Sequence, residues 1–311
     1  MKTEKLDTNA IIEKIDFEAV KDHPNILIAA GFWEEERYDA AKICYKFMRQ
    51  IDDLIDDRKA DGTITKNEKG LFTQKVNDWI DCLSDLSSMD PFVRRITETI
   101  DKFKIPSSLF NNFSKSMIYD INHDGFPTYN DFILYAEGAS VAPASVFVHL
   151  CCLGKYNNQY IPPDFDVMEI ARPCALFSYL VHIIRDFQKD QFNNLNYFAN
   201  DILENNNLVP SDLKKIANGA PITKAFRNVI EEYYSYAENY KQETLQIIRR
   251  IEDQLEQRYL LSLYIIFNLY LQVFERIDIA NGLFITEELN PTPEEVKERI
   301  LKVCNLLWLV N

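Results

Sequence analysis

The sequence predicts an all-α fold, organised as a single helical domain over residues 1–311. Three observations lead there. Apolar residues recur at spacings of three and four along most of the chain. Only 8 glycines and 12 prolines interrupt 311 residues, too few breakers for a protein built of many short strands and turns. No stretch alternates apolar and polar residues with the period of two that a half-buried strand requires. A hydrophobic fraction of 47% and a charged fraction of 26% are those of an ordinary globular protein. Single helical domains reach this length. There is no internal repeat and no linker rich in Gly, Pro or Ser.

Taken in order, the pattern begins over residues 37–57, where Ala40, Ala41, Cys44, Phe47, Ile51 and Ile55 share one face. Asp61-Gly62-Thr63 forms a polar turn. A second pattern runs over 67–86. Asp90-Pro91 opens the next helix, with proline where the first-turn N–H has no partner anyway. Ile105-Pro106-Ser107 opens another, through Met117 to Ile121. Thr128-Tyr129-Asn130-Asp131 is a helix start, and 132–153 reads as one continuous helix. Gly154 and Pro162-Pro163 mark a loop. A long helix is expected over 167–190, with Pro173 as its kink. The asparagine-rich stretch 193–207 reads as irregular. Residues 222–251 and 257–280 give two more long helices, and a short one follows Pro293 to Leu309.

The formal net charge is −14. That excludes nucleic acid as an expected partner, because phosphate backbones demand a basic face, and it disfavours adhesion to anionic membranes. The six cysteines form no C-x-x-C pair and mostly lie in apolar stretches, as buried free thiols of a reducing, cytoplasmic compartment do. The charged N-terminal stretch shows no secretory h-region. The apolar stretch 260–274 is too short and too polar to span a bilayer. There is no P-loop, no G-x-G-x-x-G and no G-x-S-x-G. The four histidines have no zinc-type spacing.

What remains is a repeated carboxylate pattern. Asp52 and Asp56 stand four residues apart, as do Asp186 and Asp190, so each pair shares a helical face. Like charges at that spacing cost an isolated helix about 0.2–0.5 kcal/mol per pair. Both pairs adjoin apolar runs, Ile51, Leu54 and Ile55 in one case and residues 176–184 in the other. Carboxylates beside core-facing residues are costly unless a cation neutralises them. Magnesium suits such a site: it takes one or two carboxylates and completes its sphere with water and substrate phosphate oxygens. Arg49 and Arg185 each stand beside a pair, with planar forks suited to diphosphate oxygens. A calcium loop with its central glycine is absent. The bland alternative, two solvated acidic faces, remains open on spacing alone.

With these motifs the chain resembles the squalene/phytoene synthase family, the head-to-head trans-isoprenyl diphosphate synthases. Tyr45 to Asp56 follows Y-x-x-x-R-x-x-D-D-x-x-D, and Arg185 to Asp190 follows R-D-x-x-x-D. Tyr135 with Ala139-Ser140-Val141-Ala142 resembles Y-x-x-x-V-A-G, and Tyr270 with Phe274-Glu275 resembles Y-x-x-x-L-D. His23 stands where the family has a histidine near the diphosphate. The likeness covers roughly residues 20–285. It implies a class I terpenoid-synthase-like helical bundle with a central apolar cavity. It implies a transferase of isoprenoid biosynthesis that ionises one prenyl diphosphate, farnesyl or geranylgeranyl, and joins it head to head to a second. The products would be of presqualene/squalene, dehydrosqualene or phytoene type. The implied catalytic residues are Asp52, Asp56, Asp186, Asp190, Tyr45 and Tyr135. His23, Arg49, Arg185 and Tyr270 would hold substrate. Two or three Mg2+ ions would sit on the four aspartates and His182. NADPH is compatible with the family's chemistry, though no dinucleotide motif supports it.

The sequence departs from the family at several points. Tyr179 and His182 replace a glutamine and an asparagine. Asn194-Leu195-Asn196-Tyr197-Phe198 lacks a basic residue, a late basic position falls around Thr286-Glu287, and Pro143 interrupts the central segment. Two other functions therefore stay open: an impaired member serving as a lipid-binding or assembly partner, and a single-substrate terpene cyclase. The chain is expected as a monomer or homodimer in the cytoplasm, peripheral to the membrane, with Leu306-Leu307-Trp308-Leu309 available for transient contact with it.

Overall fold

A computed structural model describes residues 6–19, 24–85 and 87–309 of the chain. His23, Leu86 and the first five residues lie outside that range. The described residues are helical almost throughout, and one contiguous apolar cluster runs from Ile12 to Cys304. The innermost helix is Val167–Arg185, with 12 buried residues. It packs against Ala142–Cys152, Lys224–Ile251 and Gln257–Phe274. The Glu35–Ala60 helix lies against Ala142–Cys152 and Ser107–Asn122.

Local chemistry explains the element ends. Glu35–Ala60 carries Glu35 and Glu36 in its first turn and Arg58 and Lys59 in its last, matching charge to both poles of the helix dipole. Thr65 and Glu68 form a reciprocal capping box for Lys66–Asp81, and Thr128 and Asp131 do the same for Tyr129–Ala136. Asp90 caps Pro91–Lys102, with proline in the first turn as expected. Thr223 caps Lys224–Ile251. All six cysteines are free thiols, three of them buried.

The structure corrects five expectations. The helix expected over 132–153 is interrupted by a π-helical turn at Glu137–Val141. Pro143 follows immediately; it has no N–H to give, and its ring crowds the carbonyl four residues back, so a wider turn accommodates it. The helix expected over 167–190 ends at Arg185 and restarts as Phe187–Phe192, with Asp186 between them at φ −93°, ψ 7°. Pro173 sits within the first of these helices without ending it. The helix expected to reach residue 280 stops at Phe274. Finally, the loop after Gly154 holds a small hairpin, Gly154–Tyr156 paired antiparallel with Gln159–Ile161. Asn157 and Asn158 make its turn at φ 46° and 61°, the left-handed pair that a two-residue hairpin favours. The stretch expected to be irregular contains one short helix, Asn200–Asn205.

Two helical stretches, Tyr129–Cys152 and Val167–Arg185, are long and apolar enough to cross a bilayer; 61% of each apolar window is buried inside the protein. They are core elements here.

Gly138, inside the π turn, marks the closest helix contact. A Cβ there would meet Asn112 O and Ser116 Oγ, each at 2.2 Å. Ser116 Oγ in turn donates to Tyr135 O at 2.7 Å. Gly138→Ala is expected to destabilise the protein by about 1–3 kcal/mol through overpacking. Gly70, mid-helix with nothing within 4 Å of an added Cβ, is expected to gain about 0.5–1 kcal/mol on replacement by Ala. Urea midpoints of the two variants should move in opposite directions; a shift of both the same way would contradict this packing.

Candidate active site

The first aspartate pair lies on the last third of Glu35–Ala60. Arg49 lies one turn upstream: its guanidinium donates to Asp52 Oδ2 at 2.7 Å and pairs with Asp53 Oδ1 at 2.5 Å. The second pair straddles the break after Val167–Arg185. Asp186 accepts from Arg185 through both oxygens, at 2.7 and 2.9 Å. His182 Nε2 is 2.7 Å from Asp186 Oδ2. The break retains the four-residue spacing, because Asp190 N still donates to Asp186 O at 2.8 Å.

Asp56 and Asp190, one from each pair, lie within electrostatic reach of each other. Burial pushes the Asp56 carboxyl well up from its ordinary range, and the charges of Asp52, Asp120 and Asp190 push it further, against Arg49. Asp52 is raised by burial against the pull of Arg49, with Asp120 and Asp53 adding to it. Asp190 is raised by burial and then by Asp186. Asp186 goes the other way: burial works against its charge, yet the His182 ring and the Arg185 fork hold it well below the usual range. His182 is itself lowered by burial and by Arg185, and its Nε2 shares a hydrogen bond with Asp186. A ring nitrogen that donates to Asp186 has no lone pair to offer a cation.

Among the described residues no three His, Cys, Asp or Glu side chains converge closely enough to enclose a metal ion. The chemistry of the donor set nevertheless fits a hard dication. Asp52, Asp56 and Asp190 are crowded carboxylates raised by burial and by one another, a condition that an external cation relieves.

The expected tyrosines also gather here. Tyr45 lies one turn before Arg49 and feels the charges of Arg49 and Asp52; Tyr270 lies near enough to add to that field. Burial raises Tyr270, with Arg185 the nearest charge opposing it. Tyr135 is 4% exposed and raised well above its ordinary value by burial, with Asp120 adding to it. Tyr179 stands with its ring centre 6.4 Å from that of Tyr135, 6.0 Å from Tyr197 and 5.6 Å from Phe132. Tyr45 and Met48 also line a narrow apolar cleft of about 20 Å³ with Ile26, Leu27, Phe147 and Leu150. Glu287 is exposed, and its neighbour Thr286 N donates to Gln188 Oε1 at 3.4 Å, which puts this segment beside the second pair but without a cation.

Sequence reasoning missed Asp120 and Lys59. Lys59 Nζ is 2.5 Å from Asp120 Oδ1, and their side chains are only 8% and 11% exposed. The signal available was slight: Asp120 is a lone acid in an amphipathic helix, and Lys59 continues the stripe of Asp52 and Asp56.

A family model described as squalene/phytoene synthase matches residues 21–294. No curated protein sequence matches the chain. Among solved structures, the chain is similar to a dehydrosqualene synthase in complex with ligand, at 14% identity and a TM-score of 0.69, covering 97% of this chain and 98% of that one. It is similar to the squalene synthase HpnC from Alicyclobacillus acidocaldarius, at 12% identity and a TM-score of 0.62, covering 96% and 94%. It is also similar to YisP from Bacillus subtilis subsp. subtilis strain 168, at 14% identity and a TM-score of 0.61, covering 97% and 100%. These likenesses establish the all-α fold.

A carboxyl whose proton affinity is higher folded than unfolded weakens the fold as pH rises through the ordinary carboxylate range, and the weakening is complete above the folded value. Asp56 is such a group. In EDTA at pH 8, Asp56→Asn is therefore expected to be more stable than the parent by about 1 kcal/mol, allowing for screening of a half-buried group. The gain should vanish at pH 3, where neither state ionises. Melting midpoints at both pH values check this; a less stable variant at pH 8 would contradict it.

Proposed function

The chain belongs to the squalene/phytoene synthase family and is a prenyl transferase of that type, and from that premise we propose that it joins two prenyl diphosphates head to head in a Mg2+-dependent reaction. The observation that carries this reading is the field between the two aspartate pairs: Asp190 contributes to the raised affinity of Asp56 for protons, although 134 residues of chain separate them. Each pair has its own arginine. Asp52, Asp56, Asp186 and Asp190 would hold the ions, Asp186 through the lone pairs that Arg185 and His182 leave free. When bound, Mg2+ absorbs the negative charge that develops on a departing diphosphate.

The chain's own residues supply the rest. Arg49 and Arg185 offer planar donors to diphosphate oxygens. Tyr45 and Tyr270 stand between the arginines and the apolar walls, where their hydroxyls can orient the leaving group. Tyr135 and Tyr179 would supply ring faces, since an aromatic face stabilises a nearby carbocation electrostatically and apolar surroundings keep water from quenching it. The contiguous core supports treating the whole chain as one catalytic domain. His23 would complete the diphosphate contacts.

Purified protein given farnesyl diphosphate is expected to release diphosphate with Mg2+ and not in EDTA. Asp52→Ala and Asp186→Ala should each lower the rate about 100-fold or more. Extraction of the organic phase should yield a C30 product; geranylgeranyl diphosphate, giving C40, is the second substrate to try. Release of C15 products alone would replace head-to-head joining by single-substrate chemistry. No release from either substrate by folded protein would sink the reading.

Binding of the ion should also liberate protons at pH 7, because Asp52 and Asp56 hold theirs more tightly than ordinary carboxyls do. Mg2+ affinity should accordingly rise between pH 6 and pH 8. Calorimetry in buffers of different ionisation enthalpy measures the release; a titration with no buffer dependence would contradict the assignment of these two residues.

A further inference from the structure

The last turn of the first aspartate helix is where three site-bearing segments meet. Lys59 lies one turn beyond Asp56 on the same stripe. Its ammonium crosses to the Ser107–Asn122 helix, where Nζ pairs with Asp120 Oδ1 and donates to His123 O at 3.0 Å. The field of Asp120 reaches both Asp52 and Asp56. The backbone of the same turn is bonded from another side. Asn194 Nδ2 donates to Ala60 O at 3.2 Å and, more weakly, to Lys59 O at 3.5 Å.

Asn194 stands four residues past Asp190. Its φ is 57°, a left-handed conformation that asparagine tolerates better than most residues. Lys214 Nζ donates to its amide oxygen at 2.6 Å, which turns the amide nitrogen toward the helix end. An α-helix leaves its last four carbonyls without partners inside the helix. Here a side chain from just after one aspartate pair caps the helix that carries the other. The stretch 194–198 has no basic residue, so what it gives the site is this bond rather than a charge.

We propose that Lys59, Asp120 and Asn194 form a latch that sets the spacing between the two aspartate pairs. They are positioning residues: Lys59 and Asp120 fix the end of the first aspartate helix, and Asn194 ties the second pair to it. The proposal rests on reading the pairs as a metal–diphosphate site. Magnesium tolerates little departure from octahedral geometry, so ligands drawn from two separate elements need their separation fixed.

The test uses the intact chain and inorganic diphosphate as the probe. Melting midpoints are measured in EDTA and across a Mg2+ series with diphosphate, for the parent, Asn194→Gly, and the double variant Lys59→Met with Asp120→Leu. Glycine keeps the left-handed backbone at 194 while removing the bond. The apolar pair removes both buried charges together and leaves neither unpaired. In the parent, Mg2+ and diphosphate should raise the midpoint by mass action. In both variants the EDTA midpoint should stay within about 2 °C of the parent, while the half-saturating Mg2+ concentration rises about tenfold, equivalent to about 1.4 kcal/mol. Folded variants that respond at the parental Mg2+ concentration would overturn the latch and leave the metal–diphosphate reading standing. Variants that lose only their EDTA midpoint would do the same. A parent that Mg2+ and diphosphate do not shift would overturn that reading and the latch with it.

Discussion

The structure depends on carboxylates being kept where they repel one another. Asp52, Asp56, Asp120 and Asp190 are linked by one another's fields, and burial makes every one of them costly to ionise. A fold optimised only for stability would separate or neutralise such groups. This one instead places its basic side chains selectively: Arg185 and His182 serve Asp186, Arg49 serves Asp52 and Asp53, and Lys59 serves Asp120. Asp56 and Asp190 are left without an ion-pair partner among the described residues. The Mg2+ ions proposed above would supply the missing charge.

Around these carboxylates the packing is largely aromatic. Tyr119, Phe126, Phe132, Tyr135, Tyr179 and Tyr197 form a connected set with ring centres between 5.0 and 6.4 Å apart. Such contacts hold the Tyr129–Ala136 and Val167–Arg185 helices in register through large, stiff side chains. They also give the site a wall that is neutral, dry and electron-rich. Structural rigidity and chemical suitability therefore come from the same rings, and a substitution such as Tyr179 for glutamine changes both together.

Much of this was legible in the residues themselves. Spacings of three and four located the long helices, and the repeated four-residue aspartate spacing marked both halves of the proposed site. What escaped was tertiary or local in origin. The break at Asp186 was invisible because Asp190 preserves the helical hydrogen bond across it, so the periodicity hardly changes. The π turn was signalled by Pro143 but required the Ser107–Asn122 helix to explain it. Lys59 and Asp120, 61 residues apart, carry no pattern that links them; only folding makes them a pair. The asparagine-rich stretch read as irregular, which hid that Asn194 is a cap. The charge ledger at Tyr179, His182 and Glu287 was visible early, yet its meaning depended on where Arg185 and Lys59 point.

Gly138 carries a consequence for the helix it packs against. The obstruction to any side chain at that position comes partly from a main-chain carbonyl, Asn112 O, which no substitution removes. Trimming Ser116 would clear only one of the two atoms in the way. The remaining route is for the Ser107–Asn122 helix to retreat, and that helix carries Asp120 with it. A side chain at position 138 therefore acts beyond its own contact, because whatever moves the Ser107–Asn122 helix also moves Asp120.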